Sequence, residues 1–163
     1  MKRLLIVYHS MTGAAEQLAR AAFDGALTES GVDVHRQRAC DTGSNDLLAA
    51  DGYLFATPEN LAAMAGMMKD FFDRTYYGVL DRIQGRPYAL IIAAGTDGTN
   101  AARQVERIAT GWRLQSVAPT MIVVNGAQTP EQILAPKTVP PEDLARAAEL
   151  GAALAAGLAS GIF

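Results

Sequence analysis

The sequence predicts an α/β fold: a three-layer sandwich with helices on both faces of a five-stranded parallel sheet, strand order 2-1-3-4-5. Three observations predict it. Short continuous apolar runs recur along the chain, LLIVY at 4–8, GYLFAT at 52–57 and PYALIIAA at 87–94, and such runs mark strands covered on both faces. Helical patterns alternate with these runs, which implies crossover connections and a parallel sheet. The 163 residues are enough for one sizeable core, and five strands in a doubly wound chain fit that order.

The elements follow in turn. After LLIVY, a helix is expected over 13–27, with Leu18, Ala22 and Gly25 on one face and Glu29-Ser30-Gly31 ending it. VDVHRQR at 32–38 alternates, so it reads as a strand exposed on one face near a sheet edge. A short helix is expected over 45–50, then the strand GYLFAT, stopped by Pro58. Met64, Met67, Met68, Phe71, Phe72 and Thr75 fall at helical spacing and predict an apolar helix stripe, read as core with a part free for an interface. PYALIIAA tolerates its proline at the first strand position. A helix over 101–110 and a strand at MIVV, 121–124, come next. Residues 126–139 read as a proline-punctuated loop. The last helix opens with Pro140-Pro141-Glu142-Asp143, proline and acids in the first turn, and runs its face through Leu144, Ala147, Gly151, Leu154 and Leu158. No repeat or linker divides the chain, so one domain over 1–163 is expected.

Composition excludes several function classes. Half of the residues are hydrophobic, 19% are charged, and the formal net charge is −3. No basic stripe offers itself to nucleic acid, so no nucleic-acid partner is expected. The single cysteine, Cys40, permits no intrachain disulfide and suits a reducing, cytoplasmic setting. Its surroundings in sequence lack the basic partner of a phosphatase-type nucleophile. The N-terminal apolar run is too short for a signal segment, and no run is long enough to span a bilayer, so no membrane partner is expected. No metal site is expected.

In an open parallel sheet, ligands bind outside the carboxyl ends of the strands where the strand order reverses. That rule selects three loops: HSMTG at 9–13, TPENL at 57–61 and AGTDG at 94–98. The first places Ser10, Thr12 and Gly13 at a helix N-terminus, where free N–H groups and the helix dipole favour an anion. It reads either as a phosphate cradle or as a plain N-cap with a glycine turn. The loop contains no lysine, so it is not a P-loop, and a phosphate held there by neutral donors is expected. Pro58 fixes the second loop and Glu59 and Asn60 add hydrogen-bonding groups. Gly95 and Gly98 free the third loop for tight turns. The last two loops together can surround a flat heterocycle, or serve as ordinary strand-to-helix turns.

Three segments, YHSMTGAAEQLA, DGYLFATPENLAAMAGMMKDFFDR and AAGTDGTNAARQVERIATGWRL, make the chain resemble the flavodoxin-like family. More narrowly, it resembles the small NAD(P)H-dependent FMN reductases and the tryptophan-repressor-binding-protein type of quinone reductase. The resemblance implies FMN as cofactor and NADH or NADPH as electron donor. The phosphate would sit on Ser10, Met11, Thr12, Gly13, Ala14 and Ala15. The isoalloxazine ring would lie between Thr57, Pro58, Glu59, Asn60 and Leu61 on one side and Ala94, Gly95, Thr96, Asp97 and Gly98 on the other. A small-molecule electron acceptor, a quinone or a flavin, and a homodimer or homotetramer are implied as partners.

Two departures from the family pattern bear on function. The pattern ends its phosphate loop with a hydroxyl residue where this chain has Ala15, so one donor is lost and looser FMN binding is expected. The aromatic side chains that sandwich the flavin in electron-carrier flavodoxins are missing from both ring loops. That favours an oxidoreductase with an open flavin face over a shielded one-electron carrier. A carrier, and a binding module with weak or lost FMN binding, remain as alternatives. His9 reads as a structural histidine or as a proton donor to a quinone, and is the one candidate catalytic side chain.

Overall fold

Alternate residues of the first strand, β1 (Lys2–Tyr8), enter different cores. Leu4, Ile6 and Tyr8 join one buried cluster, and Leu5 and Val7 join the other, as the two-residue period of a strand requires. The structure, a computed structural model, describes all residues from Met1 to Phe163. β1 lies between β2 (Val32–Arg38) and β3 (Gly52–Asn60), parallel to both, and β3 lies parallel to β5 (Pro87–Ala94). Beyond β5, two short strands share its outer edge: β6 (Gln115–Ser116) pairs with Pro87 and Tyr88, and β7 (Met121–Val124) with Ile91 to Ala94.

The expected order 2-1-3-4-5 is thus present with its fifth strand broken in two. Pro119 sits in the break, where it has no N–H to give to a ladder. β2 occupies the other edge, as its alternating pattern predicts.

One face of the sheet is covered by α1 (Ala14–Ala26) and the long α6 (Pro141–Ser160). They cross in close contact through small residues. A Cβ on Gly25 would overlap the Ala148 carbonyl, and one on Gly151 the Ala22 carbonyl, so glycine at both positions sets the approach. The other face is covered by α3 (Gly66–Val79) and α4 (Thr99–Gly111), with the short α2 (Ser44–Ala49) beside them. Phe55 is wholly buried there, with ring centroids 5.4 Å from Phe72, 6.3 Å from Phe71 and 6.2 Å from Tyr88. Tyr76 stacks on Trp112 at 5.7 Å, and the Trp112 indole N–H donates to the Tyr76 carbonyl.

Three expectations are corrected. Pro58 does not stop β3, which continues to Asn60. Its peptide faces the side where β1 has already ended, at the pair Tyr8 and Ala56, so no ladder bond is lost. Met64 lies in β4 (Ala63–Met64), an antiparallel strand folded back on Glu59 and Asn60, and the helix begins only at Gly66. Met64, Met68, Phe71, Phe72 and Thr75 are buried as the stripe requires, whereas Met67 is exposed. The 126–139 segment is more than a loop: it contains α5 (Pro130–Leu134). No helix is long and apolar enough to cross a membrane.

Candidate functional site

At the carboxyl ends of β1, β3, β5 and β7 a cavity of about 450 Å³ opens between the connecting loops, within the usual range for a small-molecule site. The three loops selected from the sequence converge on it. Ser10, Met11, Thr12, Ala14 and Ala15 line it from the first, Pro58 to Leu61 from the second, and Ala94 to Thr96 from the third.

Five of the expected residues do not line it. Thr57 is fully buried, its hydroxyl turned to the Pro58 carbonyl at 3.1 Å. Gly13 spends its N–H on Ser10 Oγ at 3.0 Å and holds a left-handed φ of 104°, which lets the chain turn into α1. Asp97 accepts from the Thr99 N–H and hydroxyl, capping the start of α4. Gly98 gives its N–H to Glu59. His9 is half-buried outside the cavity wall. Burial, and then the Arg38 charge, push its pKa below the ordinary value of 6.5, so it enters neutral conditions as an uncharged imidazole.

The first loop is built as a set of donors. The N–H groups of Met11, Thr12, Ala14, Ala15 and Glu16 find no acceptor in the protein; the first helical bond of α1 runs from Gln17 N–H to the Gly13 carbonyl. Ser10 Oγ already accepts from Gly13, which leaves its O–H to donate outward. The carboxylate nearest by sequence, Glu16, turns to the Tyr8 hydroxyl at 3.4 Å. Neither Ser10 nor Thr12 caps α1, whose N-cap is Gly13 with no side-chain cap bond, so the plain N-cap arrangement is not the one adopted.

At the second loop, β3 and β4 close as a hairpin with Leu61 and Ala62 as its two loop residues, both at positive φ, 50° and 62°. Glu59 ties this hairpin to the third loop. Its Oε1 accepts from the Gly98 N–H at 2.9 Å and its Oε2 from the Ala101 N–H at 3.2 Å. No aromatic side chain lines the cavity.

Sequence reasoning missed the contribution of the 125–139 segment. Asn125, Ala127, Ile133 and Lys137 also line the cavity, with Ala62 and Ala93. The signal was present in T129-P-E-Q132. Thr129 Oγ1 accepts from the Gln132 N–H at 3.2 Å, and Gln132 Oε1 accepts back from the Thr129 N–H at 3.4 Å, a capping box with proline at the first helical position. Lys137 then reaches the first loop: its N–H donates to the Thr12 carbonyl at 2.8 Å and its Nζ to Thr12 Oγ1 at 3.3 Å. An ammonium from the far end of the chain thus stands beside a loop whose own sequence contains no lysine.

Residues 15–129 match the family described as NADPH-dependent FMN reductase. The chain belongs to that family. An NAD(P)H dehydrogenase (quinone) from Acidithiobacillus ferrooxidans is 35% identical over 95 residues, covering 46% of this chain and 48% of its own length. The chain spans about half the length of the curated relatives it matches. Among solved structures, a flavodoxin from the domain Archaea superposes with a TM-score of 0.79 at 20% identity, over 96% of this chain and 98% of that one. A WrbA-like flavodoxin from Agrobacterium tumefaciens gives 0.72 at 17% identity, over 99% of each chain. At these identities the structural likeness is one of fold, and the flavodoxin-like fold expected from the sequence is present.

Membership in this family implies FMN, and the residues present fit its phosphate. Four residues with unpartnered N–H groups (Met11, Thr12, Ala14 and Ala15), two hydroxyls and one ammonium gather at one end of the cavity. A donor-only set of this kind suits an anion.

Proposed function

We propose that the protein is an FMN-dependent oxidoreductase that takes electrons from NADH or NADPH and delivers them to a quinone, a free flavin or a similar small acceptor. One observation carries this reading: the unpartnered N–H groups at the start of α1 open into the same cavity as the two ring loops, and no aromatic side chain covers that cavity. When bound, FMN supplies the redox chemistry by taking up hydride and passing electrons on.

The protein's part is to bind and orient. The Ser10 and Thr12 hydroxyls and the backbone N–H groups of 11, 12 and 14–16 hold the phosphate end. The hairpin at 58–62 and the segment 94–96 hold the flat end, pinned to one another by Glu59. With only Ala, Gly, Leu, Pro58 and polar groups around the flat end, a second planar molecule has room to stack where an aromatic lid would exclude it. His9 stands apart from this cavity, so a proton needed by a quinone comes from elsewhere than its ring. A homodimer or homotetramer is part of the same reading, with the exposed Leu61 tip and Met67 available to a second copy.

The test is direct. Protein reconstituted with FMN is mixed with NADH or NADPH and an excess of a soluble quinone or free FMN, and nicotinamide oxidation is followed by absorbance. Turnover with at least one pairing supports the reading. FMN-loaded protein that oxidises neither nucleotide with any acceptor overturns it in favour of an electron carrier, and failure to bind FMN favours the binding-module alternative.

A further inference from the structure

We propose that Lys137 is a ligand of the FMN phosphate, supplying the contact that Ala15, in place of a hydroxyl residue, does not offer. This rests on the FMN reading above. Three features of the structure place the lysine there by construction.

First, the backbone around Lys137 is stitched to the phosphate loop independently of its side chain. The Lys137 N–H donates to the Thr12 carbonyl at 2.8 Å. Gln17, one turn into α1, donates from Nε2 to the Lys137 carbonyl at 2.8 Å and accepts the Val139 N–H on Oε1 at 3.1 Å. The Cα of residue 137 is therefore held beside the N-terminus of α1 whatever its side chain does.

Second, the ammonium has no counter-charge. Lys137 is half-buried and forms no ion pair. Its Nζ donates only to neutral oxygens: Ala135 O at 2.6 Å, Ile133 O at 2.9 Å and Thr12 Oγ1 at 3.3 Å. Holding a partly desolvated positive charge against neutral partners alone is costly, and an anion beside it removes that cost. Its longest bond points into the loop whose N–H groups are unpartnered.

Third, the contact primes Thr12. By accepting from Lys137, Thr12 Oγ1 leaves its own proton free to donate, as Ser10 does by accepting from Gly13. The lysine adds its charge and orients a neighbouring donor toward the same anion.

A purely structural role has a different signature. The bonds to the Ile133 and Ala135 carbonyls also cap the C-terminal end of α5. Losing that cap would disturb the cavity for any flavin, phosphorylated or not. The experiment therefore compares FMN with riboflavin, which lacks the phosphate, by fluorescence titration of the apoprotein at low and high salt. It uses wild type, Lys137→Gln and the double variant Lys137→Gln with Ala15→Ser. Loss of one charge-assisted hydrogen bond predicts about ten- to hundredfold weaker FMN binding by Lys137→Gln, with riboflavin affinity unchanged. The salt dependence of FMN binding should flatten in the variant, and Ala15→Ser should recover part of the loss. Equal weakening for FMN and riboflavin assigns the lysine to the structure alone and overturns the inference. So does an FMN affinity that Lys137→Gln leaves unchanged. In both cases FMN binding by the wild type leaves the functional reading standing, whereas a wild type that binds no FMN overturns the reading and this inference together.

Discussion

The Glu59 carboxylate and the Gly98 backbone N–H are joined by a 2.9 Å hydrogen bond across 39 residues of sequence, and the other carboxylate oxygen takes the Ala101 N–H at 3.2 Å. One side chain thus caps α4 from outside and locks the β3–β4 hairpin to the β5–α4 loop, so the two walls of the flat end of the cavity are fixed relative to each other. A negative group at a helix N-terminus is favoured twice, by the orphan N–H groups it satisfies and by the helix dipole.

Glu59→Ala should accordingly lower stability by about 1–2 kcal/mol, the worth of a good N-cap, and weaken FMN binding because the hairpin loses its anchor. Glu59→Gln keeps one acceptor oxygen and should fall between. Urea unfolding followed by circular dichroism reads the first effect, and flavin fluorescence titration the second. A Glu59→Ala protein as stable as wild type would show that the bridge contributes nothing.

The hairpin tip supplies an opposite case, in which the native residue is the strained one. Leu61 and Ala62 occupy left-handed conformations that favour Gly and Asn. Asn100, in the first turn of α4, holds the hairpin turn, its Nδ2 donating to the Ala62 carbonyl at 2.5 Å. Ala62→Gly should stabilise the protein by about 1 kcal/mol through relief of that strain, seen as a higher urea midpoint. No change in midpoint would mean that the turn relaxes without glycine.

What was legible in the sequence follows a physical division. Strands buried on both faces announce themselves as apolar runs, so LLIVY, YLFA and ALIIAA marked the sheet, and the switch-point rule then chose three loops that converge on one cavity. Pro58 misled because a proline is tolerated where the neighbouring strand has ended, and that depends on the length of β1, not on residues near 58. Lys137 was invisible as a site residue because 125 positions separate it from Thr12. Only the fold of the 126–139 segment brings them together, although the capping box at 129–132 was there to be read. Glu59 was expected to add hydrogen-bonding groups to its loop, but that its carboxylate spends them on the start of α4 depends on the fold and not on residues near 59.

Gly95 tests how tightly that late segment is held. The Gly126 N–H donates to the Gly95 carbonyl at 2.7 Å, and a Cβ on residue 95 would stand 2.7 Å from the Ala127 carbonyl. Gly95→Ala must therefore push the start of the segment outward, an overpacking that costs roughly 1–3 kcal/mol. Because Ile133 and Lys137 travel with it, FMN affinity should fall about tenfold, equivalent to ~1.4 kcal/mol. Equal FMN affinity in the variant would show that the segment yields without carrying its cavity residues away.

His9 makes the stability of the protein depend on pH in a defined direction. Burial first, and the Arg38 charge second, hold its folded-state pKa below the ordinary 6.5. As pH falls through 6.5, the unfolded chain takes up a proton that the folded protein still refuses, so stability falls. The stabilising contribution of the neutral ring is complete above that value, and it is lost progressively between 6.5 and the lower folded-state pKa. Below both, the two states bind the proton alike and the penalty stays constant. His9→Asn removes the titrating group while keeping a polar side chain of similar reach. Thermal or urea midpoints measured between about pH 8 and about pH 5 should therefore drop less in His9→Asn than in wild type. Parallel curves for the two proteins would place the acid sensitivity in other groups, and a steeper curve for the variant would reverse the sign assigned to His9.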